Sequence, residues 1–212
     1  MVSNGKALSW SHRIASFLER VVLWGARHWL GMLNFALFIY VTLPVLAPTF
    51  MAWGWESLGR IIYTVYIPLC HQLPERSFFL FGPKIAYSLS ELQAHGLDPS
   101  TPMWARRFFL GTPELGYKMA FCQRDFALYG AMWLGGVLFA LSGRRWKPLA
   151  WRWFVLAWVP MALDGGTQLL GIRESTWPLR VFTGVLAGGA LVWTLYPRLE
   201  QAFSVSFSEG HN

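Results

Sequence analysis

From Trp29 to Trp55 the chain carries no charged residue, and a run of that length narrows the possible folds more than any other feature. At about 1.5 Å of rise per residue it exceeds the roughly 20 residues that cover a hydrocarbon core. Backbone groups in lipid have no water to bond, so the spanning form is a helix. Composition agrees: 54% of the 212 residues are apolar and only 14% are charged, where a soluble domain carries about a quarter. Three further apolar segments follow, Phe126–Gly143, Leu149–Gly171 and Pro178–Tyr196. Trp53, Trp55, Trp146, Trp151, Trp153, Trp177 and Trp193 fall near segment ends, the depth at which amphipathic rings anchor. Pro44 and Pro48 predict a kink or an early unwinding in the first span. Gly184, Gly188 and Gly189 predict close approach of a neighbouring helix to the last.

A net charge of +7 invites a nucleic-acid partner. The basic residues, however, gather just beyond the apolar segments instead of forming a stripe. That pattern points to a lipid bilayer and away from nucleic acid. The Gly143–Arg152 loop holds Arg144, Arg145, Lys147 and Arg152 with no acid, so it belongs in the cytoplasm. Residues 1–28 are also basic; from Leu8 to His28 they read as an amphipathic interfacial helix and not as a cleavable signal. Both segments share one side only if a single crossing precedes the Phe126 span. Glu56–Leu69, short and carrying Arg60, is then a re-entrant or interfacial helix. The expected architecture is an all-α, polytopic transmembrane helix bundle of about four crossings. It comprises one membrane domain over 29–200 with an external loop 74–120, a tail 201–212, and both termini on the cytoplasmic side of a prokaryotic inner membrane. Lys84, Arg106, Arg107 and Lys118 nearly balance Glu75, Glu91, Asp98 and Glu114 in that loop, which suits export.

Two motifs carry the groups capable of chemistry: Cys70-His71-Gln72-Leu73-Pro74-Glu75-Arg76 and Cys122-Gln123-Arg124-Asp125. Cys, His and Asp are donors for tetrahedral zinc. Cys122 and Asp125, three apart at a helix start, can face one way. Adjacent Cys70 and His71 diverge within a helix and can share a metal only where the helix ends, as Pro68 and Pro74 suggest. A Cys70–Cys122 disulfide is the other reading, worth about 4 kcal/mol in the chain-entropy model. Asp164 lies inside an apolar span, at a cost of a few kcal/mol. Gln168 is one turn on, followed by Arg173 and Arg180 at the membrane edge. Asp164 is either helix–helix glue paired with Arg180 or Arg173, or a catalytic group. Arg76, Arg173 and Arg180 suit a phosphate or carboxylate through bidentate bonds, or they are interfacial anchors. No phosphate loop, HExxH or nucleophile elbow is present.

The pair CHQLPERSFF and CQRDFALYGAMWLGG, followed by LDGGTQLLGIRESTWPLRVFTG, resembles the signature of a prokaryotic family of predicted integral membrane proteins classed as a domain of unknown function. In many relatives the place of Asp125 holds a cysteine, a swap that interchangeable metal ligands would show. This chain departs from that version, and it carries a long insertion before Cys122. The family implies no settled activity. The expected function is a zinc-dependent enzyme of the outer face acting on a lipid or lipid-linked substrate. Cys70, His71, Cys122 and Asp125 would hold the metal, and Asp164, Arg76, Gln168, Arg173 and Arg180 would shape the pocket. Four protein ligands would close the site, so hydrolysis requires one of them, Asp125, to release the metal and admit water. The rival is a non-enzymatic membrane subunit, associated with other membrane proteins, in which the metal or disulfide only staples the outer loop. A thiol oxidoreductase is third, since there is no Cys-x-x-Cys to cycle.

Overall fold

In the computed structural model, which describes residues 3–209, the uncharged run is part of one continuous helix, α1 (Ser3–Ala52). The basic N-terminal segment, from Ser3 on, is continuous with the span. α1 does not unwind at Pro44 or Pro48, ending at Ala52 instead. Proline at 44 leaves the Tyr40 carbonyl without its i+4 donor, and the Tyr66 hydroxyl from the next helix fills the gap at 2.8 Å. That helix, α2 (Glu56–Tyr66), has 11 residues, about 16 Å, too short to cross. It lays Gly59, Ile62, Tyr63 and Tyr66 into the core.

The segment expected as an external loop is folded, and it corrects the all-α expectation. After a single 3-10 turn at Pro74–Arg76 come β1 (Ser77–Leu80), α3 (Leu89–Ala94), β2 (Gly111–Thr112) and β3 (Gly116–Cys122). The strands form an antiparallel sheet in the order β1-β3-β2. α3 starts with a capping box, Ser88 and Glu91 bonding each other's backbone. Phe79, Tyr87, Leu92, Leu97 and Leu115 make a separate small core beneath. The strands escape a sequence reading because β2 has two residues and β1 and β3 are short and largely buried on both faces, so no period-2 alternation shows. β3 also runs straight into an apolar helix.

That helix is α4 (Gln123–Leu141), followed by α5 (Trp151–Leu169) and α6 (Trp177–Glu209). α6 absorbs most of the expected tail; residues 210–212 lie outside the described residues. Contacts give the directions. Tyr40 meets Tyr129 and Phe38 meets Trp133, with ring centroids 4.9 and 5.5 Å apart, so α1 and α4 are antiparallel. Gly184 abuts Arg124, Gly188 abuts Leu128 and Val192 abuts Gly135, so α4 and α6 are parallel. α5, which links them in the chain, runs back along α6, and the Arg198 guanidinium caps the Trp151 ring at 4.7 Å. Leu149 donates its N–H to the Trp193 carbonyl (3.1 Å), the acceptor that Pro197 leaves free. Among the described residues, Arg13–Ala52 and Trp177–Ser204 are long and apolar enough to cross a membrane. α4 and α5, of 19 residues each, are about 28 Å long. Leu134, Leu138, Leu156, Leu163, Phe182 and Val185 are exposed along the last three helices, as lipid-facing side chains are.

Two of the three expected packing glycines make the close approach. A methyl on Gly188 would sit 2.3 Å from the Leu128 carbonyl oxygen, and one on Gly184 2.7 Å from that of Arg124, whereas Gly189 meets nothing within 4 Å. Gly188→Ala is therefore expected to cost about 1–3 kcal/mol by overpacking. Gly189→Ala should be neutral or stabilising by up to about 1 kcal/mol. Melting temperatures of the two variants in detergent check this; equal melting temperatures would refute the assignment of the close face.

Candidate functional site

Cys70 sits where α2 ends, its N–H still bonded to the Tyr66 carbonyl at 3.0 Å. Two residues on, Gln72 adopts φ 51°, which turns the chain away from the helix axis. The turn is clamped on two sides. The Gln72 side-chain amide donates to the Tyr63 carbonyl (2.8 Å), and Lys118 Nζ donates to the Gln72 carbonyl and, at 2.6 Å, to that of Arg107. From the other direction β3 delivers Cys122 as the N-cap of α4, where its Sγ accepts the Asp125 N–H at 3.4 Å. The Cys122 N–H in turn donates to Cys70 Sγ at 3.2 Å.

The result is a cluster: ligand atoms of Cys70, Cys122 and Asp125 lie within 4.8 Å of one another. A tetrahedral site with bonds of about 2.0–2.3 Å has edges of about 3.3–3.8 Å, so small side-chain rotations close the set. Both thiols are free. A hydrogen bond with Cys70, then burial and the neighbouring negative groups, push the Cys122 thiol up from the usual range. His71 is exposed and stands outside the cluster. It nevertheless borders the same cavity of about 260 Å³, together with Arg76, Cys122, Arg124, Asp125 and Arg180. A second cavity of about 390 Å³ adjoins the first through Arg76, Met103 and Arg180.

Asp164 is buried at 2% exposure, and both oxygens of its carboxylate are bonded. Oδ1 accepts from Arg173 at 2.7 Å, and Oδ2 accepts from Ser175 at 2.8 Å and from Arg124. Arg173 was an expected partner, and Arg124 was not anticipated. Its signal was a charge placed two residues past Cys122, at the lip of an apolar helix, where a buried acid on a neighbouring helix could answer it. Arg180 does not reach Asp164. It donates to Gln123 Oε1 at 2.9 Å and to the Glu75 carbonyl at 3.2 Å. Gln168 bridges the network, donating to Glu174 at 2.9 Å and accepting from Arg124 at 3.5 Å. All these residues share one end of the molecule with the cysteines.

A family model described as "Predicted membrane protein (DUF2085)" matches residues 103–194. That span holds Cys122, Asp125, Asp164 and the arginines 124, 173 and 180, but not the Cys70 motif. The chain is also similar to an uncharacterized protein of Methanocaldococcus jannaschii, 31% identical over 179 residues, which cover 81% of this chain and 92% of the relative. No solved structure matches.

Lys118 is fully buried, and burial pushes its ammonium down to about 7. Between that pH and the ordinary lysine value of about 10.4 the unfolded chain binds more protons than the folded one, so stability rises with pH in that window. Melting temperature in detergent is expected to climb from pH 7 to pH 9, and Lys118→Met to flatten the climb. A Lys118→Met protein climbing as steeply would count against it.

Asp164→Asn strands two guanidinium groups and should cost about 3–5 kcal/mol, less whatever water restores at the rim. Arg124, 20% exposed, should cost more on change to Gln than Arg173, 43% exposed. Thermal melts of the three variants read the order; an unchanged Asp164→Asn protein would refute the structural role.

Proposed function

The chain belongs to this family of predicted membrane proteins, and on that footing we propose that it is a metal-dependent enzyme of the outer membrane face, acting on a lipid or lipid-linked substrate. One observation carries the reading: two thiols and a carboxylate converge at one helix start beside a cavity. Thiolate donors favour zinc over magnesium or calcium. When bound, the metal would polarise a substrate oxygen and supply a nucleophilic hydroxide near neutral pH. Cys70, Cys122 and Asp125 would hold it, and three protein donors leave a position for substrate or water. The N–H groups of Cys122 and Asp125 orient the sulfurs. Asp164, its oxygens already occupied, fixes Arg124 and Arg173, while Arg76, Gln168 and Arg180 line the pocket.

The same reading gives four crossings, α1, α4, α5 and α6, in a cytoplasmic membrane, with α2 re-entrant or interfacial. Alternating helix directions support it. So does the meeting of the basic segments at one end, where Trp29 donates to Glu200 at 2.9 Å and Arg144 pairs with Glu200 at 3.3 Å. Both termini and the Gly143–Arg152 loop are then cytoplasmic. A membrane-impermeant maleimide added to intact cells should label Asp98→Cys and spare Lys147→Cys; strong labelling of Lys147→Cys would overturn the orientation.

Metal analysis of detergent-purified protein tests the site. Close to one zinc per chain is expected, lost in Cys122→Ser and Asp125→Asn and kept in His71→Ala. Loss of zinc in His71→Ala would mean a closed, four-ligand site and favour the non-enzymatic membrane subunit. A metal-free protein whose thiols resist alkylation until reduced would establish the Cys70–Cys122 disulfide instead.

A further inference from the structure

Arg76, Arg124 and Arg180 reach one cavity from three separate elements: the turn before β1, the first turn of α4 and the opening of α6. Each has a buried Nε with no hydrogen-bond partner among the described residues. Arg180 is 5% exposed. Gathering cations out of water is costly unless anions answer them with good geometry, and here the answer is partial. The carboxylate facing Arg124, that of Asp164, also serves Arg173 and Ser175. Arg76 and Arg180 share Glu174 at 3.5 and 3.7 Å, and the Glu174 side chain is 73% exposed. Arg180 is otherwise held by neutral oxygens of Gln123 and Glu75, which orient the guanidinium without neutralising it. The Glu75 carboxylate turns one oxygen, Oε1, to Arg106 at 3.2 Å, and its buried Oε2 bonds no group among the described residues, the arginines of the cavity included.

We propose that this cavity binds a phosphate dianion, free or as a monoester, whose oxygens take the place of the Glu174 carboxylate between Arg76 and Arg180 and extend to Arg124. The chemistry selects the class. Three guanidinium edges from three directions need more than the two coplanar oxygens of a carboxylate, and a tetrahedral dianion supplies three. Glu174, long-bonded to both arginines, held by Gln168 at 2.9 Å and mostly in solvent, is a built-in competitor that an incoming anion displaces. The adjoining cavity, lined by Tyr87, Leu89, Met103 and Trp177, offers the ester substituent an apolar seat. The site deepens the outer-face reading and rests on it, but it does not require the metal.

Equilibrium binding to the full-length protein in detergent tests the site with inorganic phosphate, short-chain phosphatidic acid, and short-chain phosphatidylcholine as a zwitterionic diester control. Saturable binding of the first two and not the third is expected. Phosphatidic acid binding more tightly than phosphate identifies a lipid headgroup as the source; equal affinity identifies free phosphate. Arg76→Gln should weaken binding by about tenfold or more, the loss of a charge-assisted bond. Glu174→Gln should tighten it by removing the competitor. Because Arg180→Gln endangers folding, Arg76, a quarter exposed, carries the test. Absence of saturable phosphate or phosphatidic acid binding would overturn the proposal, as would indifference to Arg76→Gln or weaker binding by Glu174→Gln. Zinc content of the same samples separates the two readings. Zinc without phosphate binding sinks the anion site alone, and phosphate binding without zinc sinks the metal alone.

Discussion

The carboxylate of Asp164 and the guanidinium of Arg124 join α5 to α4 inside an apolar setting, and the cysteine-bearing end of the molecule is built around them. In a membrane protein lipid tails are as apolar as leucine, so burial of leucine does little to hold helices together; close packing and polar contacts do it instead. Both operate at this junction. Gly184 lets α6 rest on the backbone of Arg124 itself, while Asp164 reaches forward to Arg173 and Ser175 and fixes the turn between α5 and α6. One carboxylate thereby sets the positions of three helix ends, and with them the frame in which Cys122, Asp125 and Arg180 stand.

The lobe that carries the small sheet solves a different problem. A donor cluster needs side chains from distant parts of the chain, held against the divergence of neighbouring helical positions. β3 brings Cys122 to the start of α4 by pairing with β1, Ser77 opposite Cys122, and the left-handed Gln72 turns the chain beyond Cys70. Buried Lys118 ties these parts together by bonding the Gln72 carbonyl from within the same strand. The lobe is thus the scaffold of the cluster, which explains why β1 and β3, short as they are, are largely buried.

Two of the prolines inside the apolar helices, Pro44 and Pro197, act alike. Each frees a carbonyl four residues back, and in a medium without water that carbonyl needs another donor. Tyr66 supplies one to Tyr40, across from Pro44, and Leu149 supplies one to Trp193, across from Pro197. The sites that could have broken the helices instead pin α2 to α1 and the α4–α5 loop to α6.

Much of the architecture was legible in the sequence, because hydrophobic length and charge placement are properties of consecutive residues. The uncharged run, the three later apolar segments, the short α2 and the basic ends all follow from that local logic. So does the expense of Asp164, since a carboxylate within an apolar span must find cations wherever the chain goes. Cysteine and aspartate three apart at a helix start also implied a shared direction. What the chain order could not specify was which partners meet across it. Arg124 in place of Arg180 beside Asp164, His71 outside the cluster, Gly188 in contact and Gly189 free, and a sheet where a loop was expected were all decided by tertiary packing. Each depends on the rotation of one helix against another or on strand pairing between segments some forty residues apart. Side-chain direction at such contacts is set by the neighbour's surface and not by the residue's own sequence surroundings.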